Sequence, residues 1–442
     1  MWRAFLDAFK IPELRMKILF TLGALAVYRF GAAIPTPGVD ASSLSSNIAG
    51  GNLGGVLGIL GLVSGGSLEQ FSLFALGVLP YITASIVMQI MTTAIPALEK
   101  MQKEGPEGSK RINQYTRMAA IALAAVQAFF FANLLQSQGT FVKIGWNPAL
   151  FMLVLVITQM AGCAFTMWLG ERITEYGIGN GISMIIFAGI VQGFPTQFQQ
   201  TFALMGTQFD LLAVIFFFFM VVLVIGFIVL VQQGERRIPV QYARKVSAKA
   251  GGAAASAANA SFIPLKINTA GVIPVIFSSS ILSVIQIIPQ SLPNAPWAQT
   301  VADFLNIRTA SGLLIEVLLI MGFTYFYTSI TFDPKRVAEN LREQGGFVPG
   351  VRPGADTQSH LERISGRITL WGALFLAALA VIPTVVQNIT NVTTFPLAGT
   401  TLLIVVGVAL DTLKQLESQL AIRNYGGFLQ KGKLRGRGGF QQ

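Results

Sequence analysis

Residues 211–234 read LLAVIFFFFMVVLVIGFIVLVQQG, a run with no Asp, Glu, Lys or Arg. As α-helix it measures about 36 Å at ~1.5 Å per residue, enough to cross a hydrocarbon core of about 30 Å. A helix of that length that is apolar on every side has nothing to show water, so it belongs inside a membrane. The same search for uncharged runs, taken outward, finds 70–98, 118–142 and 144–170, each with room for one helix. Residues 176–209 and 267–302 hold a helix plus a loop, and 368–410 is long enough for two, broken around Gln387–Pro396. Two more stretches carry a charge near one end: 17–35 with Arg29, and 311–331 with Glu316. The expectation is ten spans, all helical, because lipid leaves any other open backbone unsatisfied.

The rest of the composition agrees. Hydrophobic residues make up 53% of the 442 and charged residues 12%, about half the ~25% of an ordinary soluble domain. One cysteine, Cys163, and one histidine, His360, exclude a disulfide framework, a Cys/His zinc cluster and a Cys-His nucleophile pair. No cofactor is expected. The formal charge of +11 must sit outside hydrocarbon, and its distribution sets the orientation. With the N-terminus inside, the cytoplasmic segments are 1–17, 99–117, 171–181, 232–266, 333–367 and 411–442, and they hold 28 of the 31 lysines and arginines. Only Arg29, Lys143 and Arg308 fall elsewhere. One missed helix would invert every later loop, so the split supports the span count and places both termini in the cytoplasm. The first span lacks a short apolar region followed by an Ala-x-Ala site and is expected to be retained.

Ten spans divide into five and five: residues 1–195, then a connection at 196–210, then 211–410, with a basic tail at 411–442. An odd number per half makes the halves inverted relatives, an arrangement that places a pathway at their interface. The segment LGGVLGILGLV (53–63) is apolar but only about 16 Å long as helix, too short to cross. With Ser64, Gly65 and Gly66 behind it, residues 53–66 read as a short helix that turns back. The 232–266 loop begins basic and becomes Ala/Gly/Ser-rich from Ala250 to Ser261. The 333–367 loop contains FVPGVRPG, whose two Pro-Gly pairs make a rigid turn presenting Arg352.

Few residues offer chemistry. GIGNG (177–181) has the look of a phosphate loop but lacks a following Lys-Ser/Thr and a preceding strand, which favours a tight turn opening the fifth span. Arg29 can be a membrane anchor or a substrate counter-ion; Glu316 reads as structural, His360 as a solvated surface residue and Cys163 as packing. No pair of carboxylates occupies the middle of a span, which counts against an ion-driven secondary transporter with an inverted 5+5 repeat, the alternative function, and more heavily against an enzyme. A channel walled by apolar side chains, gated by dewetting, needs no charge ring. The seventh span, with Asn268, Thr269, Ser278, Ser279, Ser280 and Gln286 and with Pro274 inside it, reads either as a buried helix or as a moving helix at a lateral opening.

Seven strings then resemble one family: IPTPGVD (34–40), SGGSLEQFSLFALGVLPYITASIVMQ (64–89), KEGPEGSKRINQYTR (103–117), MWLGERITEYGIGNGIS (167–183), RRIPVQYARK (236–245), IPLKINTAGVIPVIF (263–277) and FVPGVRPG (347–354). They are similar to the bacterial SecY family, the channel subunits of the general protein translocase. The resemblance implies an all-α membrane protein of ten helices in two pseudo-symmetric halves, with a pore ring at Val78, Ile82, Ile182, Ile186, Ile276 and Ile404. It implies a plug formed by Leu53, Val56, Leu57, Ile59, Leu60 and Leu62, and a lateral gate whose polar cluster is Thr83, Gln127 and Asn268. Arg352, with Arg236, Arg237, Arg244 and Lys245, would dock the ribosome or the ATPase SecA. SecE would clamp the halves and SecG would lie at the periphery. Secretory and membrane proteins with signal sequences would be the substrates, in the bacterial cytoplasmic membrane, and the basic surface also suits anionic lipids. The chain itself would catalyse nothing; SecA, the ribosome or the proton-motive force would supply energy. One departure is visible: the tip of the 232–266 loop offers only Lys249 before its Ala/Gly/Ser run, where the family carries basic and aromatic residues.

Overall fold

The computed structural model describes residues 11–39, 71–138, 147–203, 211–242, 261–291, 309–390 and 399–435, with Phe9 and a few positions between 297 and 305. The expected plug, with Leu53, Val56, Leu57, Ile59, Leu60 and Leu62, lies outside the described residues, as do Arg244, Lys245 and the tip of the 232–266 loop.

Helices occupy all ten expected span positions: α1 (Pro12–Ala32), α2 (Leu79–Ala94), α4 (Pro106–Gln138), α5 (Pro148–Tyr176), α6 (Gly181–Ala203), α7 (Leu211–Gln233), α8 (Ile273–Ser291), α9 (Ala310–Thr331), α11 (Ala355–Thr390) and α12 (Gly399–Arg435). Two short helices, α3 (Pro96–Lys103) and α10 (Pro334–Glu343), lie between them. Among the described residues, six helices are long and apolar enough to cross a membrane, and seven if α2 and α3 count as one span bent by 99°. The molecule is a helical membrane protein, with one small addition: a three-stranded antiparallel sheet in the order β2-β1-β3, formed by β1 (Glu235–Tyr242), β2 (Ser261–Lys266) and β3 (Gly346–Phe347).

Local chemistry explains the helix ends. Asn147 accepts from the Ala149 N–H just before Pro148, Thr309 accepts from Gly312 N–H, and Asp333 accepts from Lys335 and Arg336 N–H just before Pro334. Each satisfies donors that a helix start leaves unpaired. The bend between α2 and α3 falls at Ile95, which is extended (φ −106°, ψ 113°) because Pro96 bars it from helix.

The chain forms two compact units, one comprising Met1–Gln200, Ser283–Ala302 and Ile404–Gln442, the other Thr201–Leu282 and Asp303–Leu403. In the first, Ala120, Ala124, Ala128 and Ala132 make a fully buried stripe along α4. Small side chains four apart let neighbouring helices approach closely, the packing that works where lipid removes the hydrophobic drive. Ala124, Ala128 and Ala132 pack with Phe71, Leu76, Phe151, Leu155 and Cys163; Cys163 is thus a packing residue, 1% exposed. In the second unit, Ile238, Leu265, Val348 and Leu361 bind the sheet and the 348–354 turn to α11, and Phe277 of α8 meets Phe323 and Tyr327 of α9 edge-on.

The GIGNG string is a turn. Gly179 has φ +82°, Asn180 caps α6 through Ile182 and Ser183 N–H, and Thr21 of α1 accepts from Ile178 N–H at 3.1 Å. A Cβ on Gly181 would stand 1.9 Å from the Gly170 carbonyl oxygen, so only glycine lets the turn lie on α5. Arg29 is exposed near the end of α1, as the anchor reading requires. Glu316 is buried, 5% exposed, within a stripe of α9 that runs Gly312, Glu316, Ile320, Thr324, Thr328. His360, expected at the solvated surface, is half-buried on α11.

Candidate functional site

The ring positions are all described. Val78 precedes α2 and its carbonyl accepts from Ile82 N–H at 3.0 Å, so the two share a helical turn. Ile182 and Ile186 sit in the first turns of α6 behind the Asn180 cap, and a Cβ on Gly170 of α5 would come within 2.9 Å of Ile182 Cγ1. Val78, Ile82, Ile186 and Ile404 are buried at 3%, 7%, 2% and 4% exposure; Ile182 and Ile276 are half-buried. Val78, Ile82, Ile182, Ile186 and Ile404 belong to the first compact unit and Ile276 to the second.

The polar cluster has a distinct signature. Thr83 turns its hydroxyl back to the Leu79 carbonyl at 3.0 Å. Gln127 is 5% exposed and Asn268 7% exposed; Asn268 donates to the Gly271 carbonyl at 2.9 Å, and among the described residues neither Gln127 Nε2 nor Asn268 Oδ1 has a partner. Each such atom costs on the order of 1–3 kcal/mol while it stays unmet. Thr83 and Gln127 belong to the first compact unit and Asn268 to the second.

Beside the N-terminal part of α4 and the C-terminal end of α5 a cavity of about 430 Å³ opens next to Ile182 and Tyr81. Its charges are paired: Arg117 with Glu171 at 2.7 Å and Arg172 with Glu175 at 2.8 Å, the Arg172 guanidinium also lying over Trp168 and Tyr176.

The basic candidates differ in what holds them. Arg352 is exposed in a turn whose Gly350 and Gly354 take φ of +83° and +106°; its carbonyl accepts from Thr357 Oγ1 at 2.8 Å, and its guanidinium makes no ion pair among the described residues. Arg236 is exposed at the start of β1. Arg237 is engaged: it pairs with Glu235 at 2.6 Å and lies 4.8 Å from the Phe262 ring centre. The sheet registers Tyr242 opposite Gly346 and so ties the β1 arginines to the strand that leads into the Arg352 turn.

Sequence reasoning missed Gln159, Gly162 and Thr166, which seat the segment leading into Val78 on α5. Gln159 Nε2 donates to Thr36 Oγ1 and to the Ser72 carbonyl, both at 3.0 Å, and Thr166 Oγ1 reaches the Gly77 carbonyl at 3.1 Å. The available signal was polar and small residues at spacings of three and four inside an apolar span, which share one helix face.

Comparison with known proteins places this arrangement. The SecY family model matches residues 72–413, a range that includes every ring, gate and basic candidate and leaves out the expected plug. The chain is 52% identical over 441 residues to the protein translocase subunit SecY of Thermus thermophilus, covering 99% of this chain and 100% of that protein. It is 42% identical over 446 residues to the subunit of the same name from Thermotoga maritima, with 99% and 100% covered. Among solved structures, one described as the structure of a protein conducting channel aligns with a TM-score of 0.65 at 18% identity, over 93% of this chain and 96% of that one. Sec61 in a canine ribosome-channel complex from the endoplasmic reticulum aligns with a TM-score of 0.64 at 18% identity, again over 93% and 96%. At such identities the likeness is one of fold. None of these matches favours a small-solute transporter. With half of its residues identical to a curated relative over the whole length, the chain belongs to the SecY family of protein translocase subunits.

Proposed function

We propose that the chain forms a protein-conducting channel of the bacterial cytoplasmic membrane, both termini cytoplasmic, passing unfolded secretory polypeptides across and releasing signal and membrane helices sideways into lipid. The observation that carries this is the family match over residues 72–413, within which the six aliphatic ring positions hold Val or Ile. Aliphatic side chains around a narrow path exclude water, and with it ions, yet yield to an extended chain of variable side chains. Residues 1–195 and 211–410 act as the two halves and 53–66 as the plug that seals the outer side.

The lateral gate is read at Thr83, Gln127 and Asn268. What supports it is the family match, whose range includes all three positions, and the burial of the Gln127 and Asn268 amides at 5% and 7% exposure. Arg352 and Arg236, exposed and without an ion pair among the described residues, are the docking residues for SecA or the ribosome; acidic protein faces and ribosomal RNA both suit them. Arg237 supports the sheet that carries them. SecE and SecG complete the complex, and SecA, the ribosome or the proton-motive force drives transport. The test is reconstitution of the chain with SecE and SecG in liposomes. A secretory protein is expected to become protease-protected only when SecA and ATP are both supplied. Absence of protection with an active SecA would overturn the reading.

A further inference from the structure

Between the strand-like bridge at Pro35 and Ser72 and the start of α2, residues Phe71–Val78 form no regular structure, yet all but the half-buried Leu73 are buried in the first compact unit. Phe71 takes φ +43° and Gly77 φ +52°, so this stretch cannot continue α2 backwards. The uncharged run from 70 therefore yields a helix only from Leu79. In an apolar interior every N–H and C=O of such a stretch must find a partner. Thr36 N–H donates to the Phe71 carbonyl at 2.9 Å and Leu73 N–H to the Ile34 carbonyl at 2.9 Å. Within the segment Phe74 N–H donates to Ser72 Oγ, Ala75 N–H to the Ser72 carbonyl and Gly77 N–H to the Phe74 carbonyl, and one face of α5 adds the contacts that hold it to a neighbouring helix. Gln159, fully buried, donates through Nε2 to Ser72 O and Thr36 Oγ1 and accepts from Leu76 N–H through Oε1 at 3.4 Å. Gly162 leaves room for the Leu73 carbonyl, which a Cβ there would meet at 1.9 Å. Thr166 shares its one hydroxyl proton among Gly77 O and the Gly162 and Cys163 carbonyls, at 3.0–3.1 Å.

We infer that Gln159, seconded by Thr166, is a positioning residue that latches Phe71–Gly77 onto α5 and thereby sets where Val78 and the first turn of α2 stand in the closed ring. The inference rests on the assignment of Val78 to that ring. The latch is a single side chain acting as donor and acceptor together, and Leu155 and Cys163, one turn to either side of it on α5, belong to an apolar cluster. Its removal takes the Gln159 partner from Leu76 N–H in a dry site and one of three donors from the Ser72 carbonyl, which keeps Ala75 N–H and Thr36 Oγ1, a penalty that favours a rearranged segment.

The experiment uses the chain assembled with SecE and SecG in planar bilayers. Gln159→Leu is expected to raise resting ion conductance about tenfold, the population change that one lost buried hydrogen bond produces, and Thr166→Val to raise it by less. Gln159→Leu is also expected to speed the reaction of a Val78→Cys thiol with a water-soluble maleimide, a readout that loss of stability elsewhere does not move. Val78→Ser serves as the control. If Val78→Ser leaks while a folded Gln159→Leu changes neither conductance nor thiol reactivity, the latch is wrong and the ring stands. If Val78→Ser does not leak, the ring assignment fails, and the thiol rate alone then judges the latch. Should Gln159→Leu not fold, Thr166→Val, which keeps volume and removes one hydroxyl, decides by the same two readouts.

Discussion

Replacing Ile82, Ile186 and Ile276 together by serine is expected to raise the resting ion conductance of the reconstituted complex by at least about tenfold. A narrow apolar path resists ions because water does not wet it, and hydroxyls at three positions hold water and widen the path at once. The argument depends on the variant remaining folded. Ile82 and Ile186 are 7% and 2% exposed, and trimming buried isoleucines costs about 2–5 kcal/mol each in ordinary cores. Ile276, half-buried on α8, is the cheapest site, so Ile276→Ser alone is the companion variant. Its conductance is expected to fall between those of the natural chain and the triple variant. Unchanged conductance in a folded triple variant would remove the ring.

Reversing one charge is expected to have the second large effect. Arg352→Glu should reduce SecA-driven transport by about a hundredfold, the scale on which a docking charge turned into a repulsive one acts. Stability should change by no more than about 0.5 kcal/mol, as for other exposed positions. The turn explains why the two separate. Its shape comes from Gly350 and Gly354 in left-handed backbone, from Val348 in the apolar cluster, and from Thr357 donating to the Arg352 carbonyl, none of which involves the guanidinium. Transport by the natural chain should weaken as salt rises, because the attraction of exposed charges is screened. Normal transport by Arg352→Glu would end the docking assignment. Arg237→Glu makes the contrast: with Glu235 and Phe262 as its partners, its loss should destabilise the sheet first.

Much of this molecule is written in where charges are absent. Runs such as 211–234 mark helices because lipid permits little else, and every expected span position carries one. Their ends were less legible. The α4 helix begins at Pro106 and α11 at Ala355, well outside the uncharged runs, because a helix can continue into water on charged residues that hydropathy counts against it. The sheet was invisible for a different reason. It pairs Glu235 with Lys266 across the whole 232–266 loop, and non-local pairing leaves little local pattern. Pro239 and Pro264 inside the two strands argue against strand by composition. At the site, the family resemblance supplied the ring, gate and docking positions, and the residues alone supplied only their pairing at helical spacing. Gln159 escaped because its role is defined by the backbone atoms of Ser72 and Leu76, which no side-chain pattern announces.

The most direct test places single cysteines along the proposed conduit in a chain whose own Cys163 is replaced by alanine, with a secretory protein stalled during transport and carrying a crosslinker. Ile276→Cys and Ile82→Cys are expected to link to the stalled chain, and Leu212→Cys, at a position 80% exposed on α7, is expected not to. Crosslinks at Leu212→Cys with none at Ile82→Cys or Ile276→Cys would contradict the account, since the travelling polypeptide would then pass outside the aliphatic ring.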